Sequence, residues 1–307
     1  MKNYSIKEYQ DIYKGYASEH TGKSLESLLN EIFLSLKEDE TDSFDKFKAA
    51  FLEANGINEY DYYTKNVNPL LKQYVENKIF PQYEKNDQGH GILHILEVIR
   101  RSFALRENLG LNLNDDYVYV IAACHDWGKY EEHEKGVKHA IIAGERFMND
   151  ETFNKIFSES ERKLIKEAIE DHSSSLEDEP RSDYGKLVSS ADRNTSIRMV
   201  FIRSFFVGKR KNPEQRIDDY LDFTFNRLSK RYSEEKSENM FFADDTYTEF
   251  LKDMRRLLKD EKRFKDHYCE VNHITSYEHT LSQEPGETSY KNLFKREEKN
   301  LGETYDK

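Results

Sequence analysis

Three observations predict an all-α fold. Breakers are scarce, with 5 Pro and 13 Gly in 307 residues. Glu, Lys, Leu and Tyr are plentiful, and that composition favours helix over sheet. Apolar residues also recur at spacings of three and four along most of the chain, which is the period of a helix with one buried face.

Residues 1–80 read as several amphipathic helices. In "SLESLLNEIFLSLKE" one stripe carries Leu25, Leu28, Leu29, Ile32, Phe33 and Leu36, with Ser24 as the expected N-cap. "NPLLKQYVENKIF" continues the style, with Pro69 near a helix start. This region carries no chemical signature and is expected to pack on the helices of the middle region. In "GILHILEVIRRSFALREN" the stripe is Ile92, Ile95, Leu96, Ile99 and Phe103. "DDYVYVIAACHDWGK" comes next, with Asp115 or Asp116 as the expected cap. Its short β-branched run suits a strand by periodicity alone, but Ala122, Ala123 and the flanking helices favour a buried helix. "KHAIIAGERFMND", "SESERKLIKEAIEDH" and "YGKLVSSADRNTSIRMVFIRSFF" read as three further helices. Composition shifts after residues 208–215. "RIDDYLDFTFNRLSKRY" and "DTYTEFLKDMRRLLKDEKRFKDHYCEVN" then read as long charged helices, and the tail from about residue 280 as loosely held.

Composition bounds the function. The apolar and charged fractions are 36% and 35%, yet 19 Phe and 20 Tyr supply bulk for a packed core. The net charge of −12 repels phosphate on average, which argues against a nucleic-acid polymer as partner but permits a local basic pocket. Cys124 and Cys269 form no disulfide framework and read as reduced thiols of a cytoplasmic protein. "MKNYSIKEYQ" lacks an apolar leader core, and no run approaches the length of a membrane span. Neither export nor a membrane partner is expected.

The informative residues lie in the middle of the chain. "AACHDWGK" sets His125 beside Asp126 directly after an apolar run. Adjacent helical residues point about 100° apart, so the pair is an odd way to build a core. It suits a metal site if other ligands arrive from elsewhere. Candidates do arrive on separate helices: His94, His139, His172 and Asp192. Helical bundles assemble interior metal sites in this way. Imidazole and carboxylate without sulfur suit Mn, Fe, Co, Ni or Zn and argue against a structural zinc knot.

The order His94, His125-Asp126, Asp192 resembles the HD superfamily of metal-dependent phosphohydrolases, and "HILEV", "AACHDWGK" and "SSADRN" share its local style. The resemblance covers roughly residues 87–200. It implies an HD-domain helical bundle, assigned here to 81–210, with additional helices at 1–80 and 211–307. It also implies that His94, His125, Asp126 and Asp192 hold one metal. Some members carry a second metal on added histidines, and His139 and His172 fall in that interval, with Asp126 then bridging. One or two divalent transition-metal ions per chain are therefore expected. The implied activity is hydrolysis of a phosphate ester or anhydride by a metal-activated water, on a small phosphorylated substrate of which a nucleotide is the leading class. Asp126 and Lys129 are the expected catalytic residues.

Basic and histidine residues near these ligands acquire expected roles. Lys129 would meet a phosphate oxygen as a point charge, and Arg193 and Arg181 would add bidentate contacts. His90, four residues before His94, would line the pocket, and His133 would sit in a loop at its mouth. Trp127 and Cys124 read as core, Glu170 and Asp171 as surface acids, and Cys269, His273 and His279 as too loosely spaced for zinc. Two rival readings stay open on ligand types alone: an HD-type di-iron oxygenase, and a non-catalytic nucleotide-binding module. The flanking helices leave room for a homodimer.

Overall fold

A computed structural model describes residues 4–19, 25–36, 44–86, 89–173, 178–234 and 241–284. Among these the fold is all-α, and the one extended pairing is an isolated antiparallel bridge between Arg216 and Thr280. No described helix is long and apolar enough to cross a membrane. The chain forms two compact units that divide between Ala191 and Asp192.

In the first unit, α1 (Ile6–Glu19), α2 (Leu25–Leu36) and α3 (Phe44–Asn55) pack on one another. Tyr9, Phe33, Phe47 and Phe51 interlock there with ring centroids 5.4–6.1 Å apart. The expected cap Ser24 lies outside the described residues. Next come α4 (Glu59–Thr64) and α5 (Pro69–Tyr74), then a π-helical turn (Val75–Ile79) and a 3₁₀ segment (Phe80–Lys85). Asn68 caps α5 through the backbone of Leu70 and Leu71, with Pro69 in the first turn.

Helix α7 (Asp115–Cys124) is the axis of this unit. It contacts α6 (Ile92–Asn108), α9 (His139–Asn149), α11 (Glu159–Glu170) and α12 (Asp183–Ala191). Val118, Tyr119, Val120, Ile121, Ala122, Ala123 and Cys124 are all fully buried. A helix covered on every side needs no polar face, which is why its sequence reads as a continuous run. Its cap is Asn114, whose side chain accepts from Asp116 and Tyr117, so Asp115 and Asp116 lie in the first turn instead of at the expected cap position. Short helices α8 (Glu132–Lys135) and α10 (Glu151–Ile156) complete the unit.

Two long helices expected from the sequence are interrupted. The run over 184–206 breaks at 192–196, after which Ser196 caps α13 (Ile197–Lys211). Asp, Asn, Thr and Ser crowd this break, and their side chains compete for backbone partners. The run over 245–272 breaks after α15 (Asp245–Leu258), at Lys259, and Asp260 then caps α16 (Glu261–Val271).

The second unit gathers α13, α14 (Ile217–Arg231), α15 and α16 around Phe201, Phe205, Leu221, Met254, Phe264 and Tyr268. The first residues of the expected loose tail, 280–284, are firmly held. Leu281 is buried and donates its backbone N–H to Gln215, while Ile217 donates to His279. The fully buried Glu284 carboxylate accepts from the backbone of Thr275 and Ser276 at 3.0 Å and from His279 Nδ1 at 3.0 Å. Residues beyond 284 lie outside the described residues.

Burial alone would raise the Glu284 carboxyl, but these donors outweigh it and lower it below its ordinary 4.5. The stabilisation is therefore present above the ordinary value and disappears as pH falls through the lowered one. Glu284→Gln should lose about 1–3 kcal/mol near neutral pH. Denaturant titrations of the two proteins should converge below the carboxylate range; curves that stay parallel down to acid would refute the assignment.

Candidate metal centre

His125 and Asp126 prolong the turn of α7 by one step. His125 keeps a helical conformation, and its Nδ1 lies 2.8 Å from the Ala122 carbonyl. A carbonyl only accepts, so Nδ1 carries the proton and Nε2 presents a lone pair. His172, two residues after α11, repeats the device with Nδ1 at 2.6 Å from the Ile169 carbonyl. His139 opens α9, and its Nδ1 lies 2.8 Å from Glu132 Oε1. His94 sits in the first turn of α6.

All four imidazoles converge on Asp126, which is 2% exposed. Its Oδ2 lies 3.6 Å from His94 Nε2 and 3.4 Å from His125 Nε2. Its Oδ1 lies 3.1 Å from His139 Nε2 and 3.7 Å from His172 Nε2. The two Nε2 atoms are 3.3 Å apart in the first pair and 3.2 Å apart in the second. One carboxylate thus faces two imidazole pairs, one with each oxygen. The nitrogens of His125 and His172 aim lone pairs inward. Such an array is repulsive until positive charge enters it, so the donor set suits divalent cations. Burial opposes ionisation of Asp126, yet the imidazoles, His125 foremost, hold its carboxyl well below the usual carboxylate range. Burial likewise disfavours the His139 cation, and Asp126 and Glu132 more than offset it, raising its pKa.

The scaffold behind the pair comes from the segment before α6. Tyr83 donates to the Ala123 carbonyl at 2.7 Å, and Trp127 Nε1 donates to Gln82 at 2.9 Å. Asn86 donates to the Asp126 and His90 carbonyls and accepts from the backbone of Tyr130. Gly128 then turns the chain with φ of 106°. Trp127 and Cys124 are buried, as expected of core residues.

The remaining expected site residues fall in several places. Lys129 Nζ lies 2.8 Å from Glu132 Oε2 and 2.9 Å from His139 Nδ1, at the edge of the second pair. The His90 ring stands edge-on to His94 with centroids 6.0 Å apart. His133 is exposed on α8, in a helical turn instead of a loop. Asp192 is the first residue after α12, whose last carbonyl accepts from Arg101 at 2.5 Å; Arg193 follows it, partly buried. Cys269, His273 and His279 do not gather into a ligand cluster among the described residues.

Arg181 differs from its expected role. Its guanidinium is spent on Asp171 and Glu170, and its backbone N–H also donates to Asp171 at 2.7 Å. Asp171 is 5% exposed, not the surface acid expected. The pair fastens the chain beside His172 to the approach of α12. Sequence reasoning also missed Glu132, which looked like one more acid in "KYEEHEKG", and Asn86, which lies in an unremarkable polar stretch.

Residues 91–196 match the family model of the HD domain. Neither a curated protein nor a solved structure gives a significant match. This stretch is an HD domain, a family that carries the general expectation of metal-dependent phosphohydrolase chemistry.

A Cβ at Gly128 would lie 2.9 Å from Ile142 Cγ2 and 3.0 Å from Arg146 Nη1. Gly128→Ala should therefore destabilise the chain by about 1–3 kcal/mol, through the positive φ and the overpacking together. Urea unfolding of the variant checks this; a loss within error of zero would show that the turn relaxes freely.

Proposed function

We propose that the chain is a metal-dependent phosphohydrolase acting on a small phosphorylated substrate, with nucleotides as the class to test first. The observation that carries the reading is the division of labour at Asp126: one buried carboxylate, with two imidazole nitrogens beside each oxygen. On this reading His94 and His125 would hold one ion and His139 and His172 a second, with Asp126 contributing to both. Asp192 would join the first ion, as the family resemblance implies. Two such ions would supply an activated water and neutralise the charge of a phosphoryl group.

The chain's own residues do the rest. The Nδ1 anchors of His125 and His172 fix the tautomers, so no proton has to leave those rings when an ion arrives. Lys129 stands beside the second pair with an ammonium that a phosphoryl oxygen can take over from Glu132. Gly128 and Asn86 hold Asp126 and Lys129 at a fixed separation through the turn between them.

Elemental analysis of chain purified without chelator or metal-affinity resin should find two transition-metal ions per chain, and Asp126→Ala should lose both. Lys129→Ala should keep both ions and lower kcat about 10²–10³-fold, the cost of one lost charge-stabilising donor. A panel of phosphorylated substrates with Mn²⁺ measures the latter. A chain that takes up no metal after supplementation would sink the reading. Oxygen consumption by an iron-loaded chain would redirect it to an oxygenase.

A further inference from the structure

Glu132 lies outside the residues that would touch an ion, yet both of its carboxylate oxygens are engaged at the site. Oε1 is 2.8 Å from His139 Nδ1 and 3.2 Å from the His139 backbone nitrogen. Oε2 is 2.8 Å from Lys129 Nζ. His139 Nδ1 therefore has two neighbours, because Lys129 Nζ also stands 2.9 Å away. The ring can donate to the carboxylate or accept from the ammonium, but not both.

The geometry selects the first. The Lys129 ammonium already has an acceptor in Oε2, and that contact keeps the carboxylate ionised and able only to accept. A lone pair on Nδ1 would face the anionic Oε1 at 2.8 Å, which is repulsive. With the proton on Nδ1, Nε2 is left bare and turned towards Asp126 and His172. The contrast with its neighbours is instructive. His125 and His172 obtain the same tautomer from carbonyls at the ends of their own helices. His139 is the first residue of α9, so no carbonyl of its own helix lies behind it. A side chain has to supply the acceptor.

We infer that Glu132 is the positioning residue of the second ion: it fixes the His139 tautomer that leaves Nε2 free to bind. This inference rests on the two-ion reading above. Loss of such an outer acceptor costs about 10–100-fold in metal affinity, and here the loss should fall on one ion only.

The test is calorimetric titration of the full-length chain with Co²⁺, with visible absorption recorded alongside, for the parent, Glu132→Ala, Glu132→Gln and His139→Ala. The expected result is unchanged affinity for the first ion throughout. For the second ion, affinity should fall about 10–100-fold in Glu132→Ala, return in large part in Glu132→Gln, which restores a neutral acceptor, and vanish in His139→Ala. If the parent binds two ions, His139→Ala binds one, and Glu132→Ala matches the parent, the two-ion reading stands and the role of Glu132 falls. If the parent itself binds one ion and His139→Ala matches it, both fall together. The parent alone offers a check that needs no variant to fold. Nitrogen-15 histidine spectra of the metal-free chain should show His139 protonated at Nδ1; a proton on Nε2 overturns the inference.

Discussion

A carboxylate buried to 2% exposure and ringed by four imidazoles needs positive charge beside it. Two of the four nitrogens, on His125 and His172, present a lone pair because a carbonyl holds the proton on the far side of the ring, and Glu132 is inferred to do the same for His139. Stripped of positive charge, the array would push itself apart. At separations of 3.1–3.7 Å the surrounding helices hold these groups together, and positive charge entering the cluster relieves the push. The rest of the first unit can be understood as the frame for this one cluster.

The frame is stiff where stiffness is needed. Helix α7 is buried on all sides, so it cannot rotate without disturbing α6, α9, α11 and α12 together. Its end is tied down by Tyr83, Gln82 and Asn86, which come from a short irregular stretch of non-α helix. That stretch explains why the region before α6 matters to a site it does not enter. Its π-helical and 3₁₀ turns place Gln82, Tyr83 and Asn86 against the last turn of α7, which a regular helix would carry past.

Legibility followed the physics of each signal. Helices with one buried face were readable because period 3.6 survives in the sequence, as in α2 and α6. Helix α7 was ambiguous because complete burial erases the period, and its neighbours decided the matter. The breaks at 192–196 and 259–260 were missed because each is a local contest between side-chain and helical hydrogen bonds, with the apolar stripe running through. At the site, His94, His125, Asp126, His139 and His172 were legible as types in an order, and the structure brings these five together. Glu132 and Arg181 show the limit. An acid three residues from a lysine is commonplace in sequence, and only the fold reveals that Glu132 also reaches His139. Arg181 looked like an open phosphate binder because sequence does not show that Asp171 is buried and needs it.

The charge around the cluster adds a last constraint. Lys129 is paired with Glu132, Arg146 with Glu131, and Arg181 with Asp171 and Glu170. These three cations are each matched by a carboxylate, and Asp126 stands in excess. Without ions they therefore offer no surplus of positive charge to an anion, in a chain whose net charge is already −12. On the two-ion reading, the divalent ions would supply the attraction for a phosphorylated molecule that these three cations do not. Lys129 can assist them, because its partner Glu132, at 36% side-chain exposure, is open enough to solvent to be exchanged. The imidazoles thus stand where positive charge is needed: on the two-ion reading, the ions they would hold would relieve the buried carboxylate and give an acidic site an attraction for phosphate.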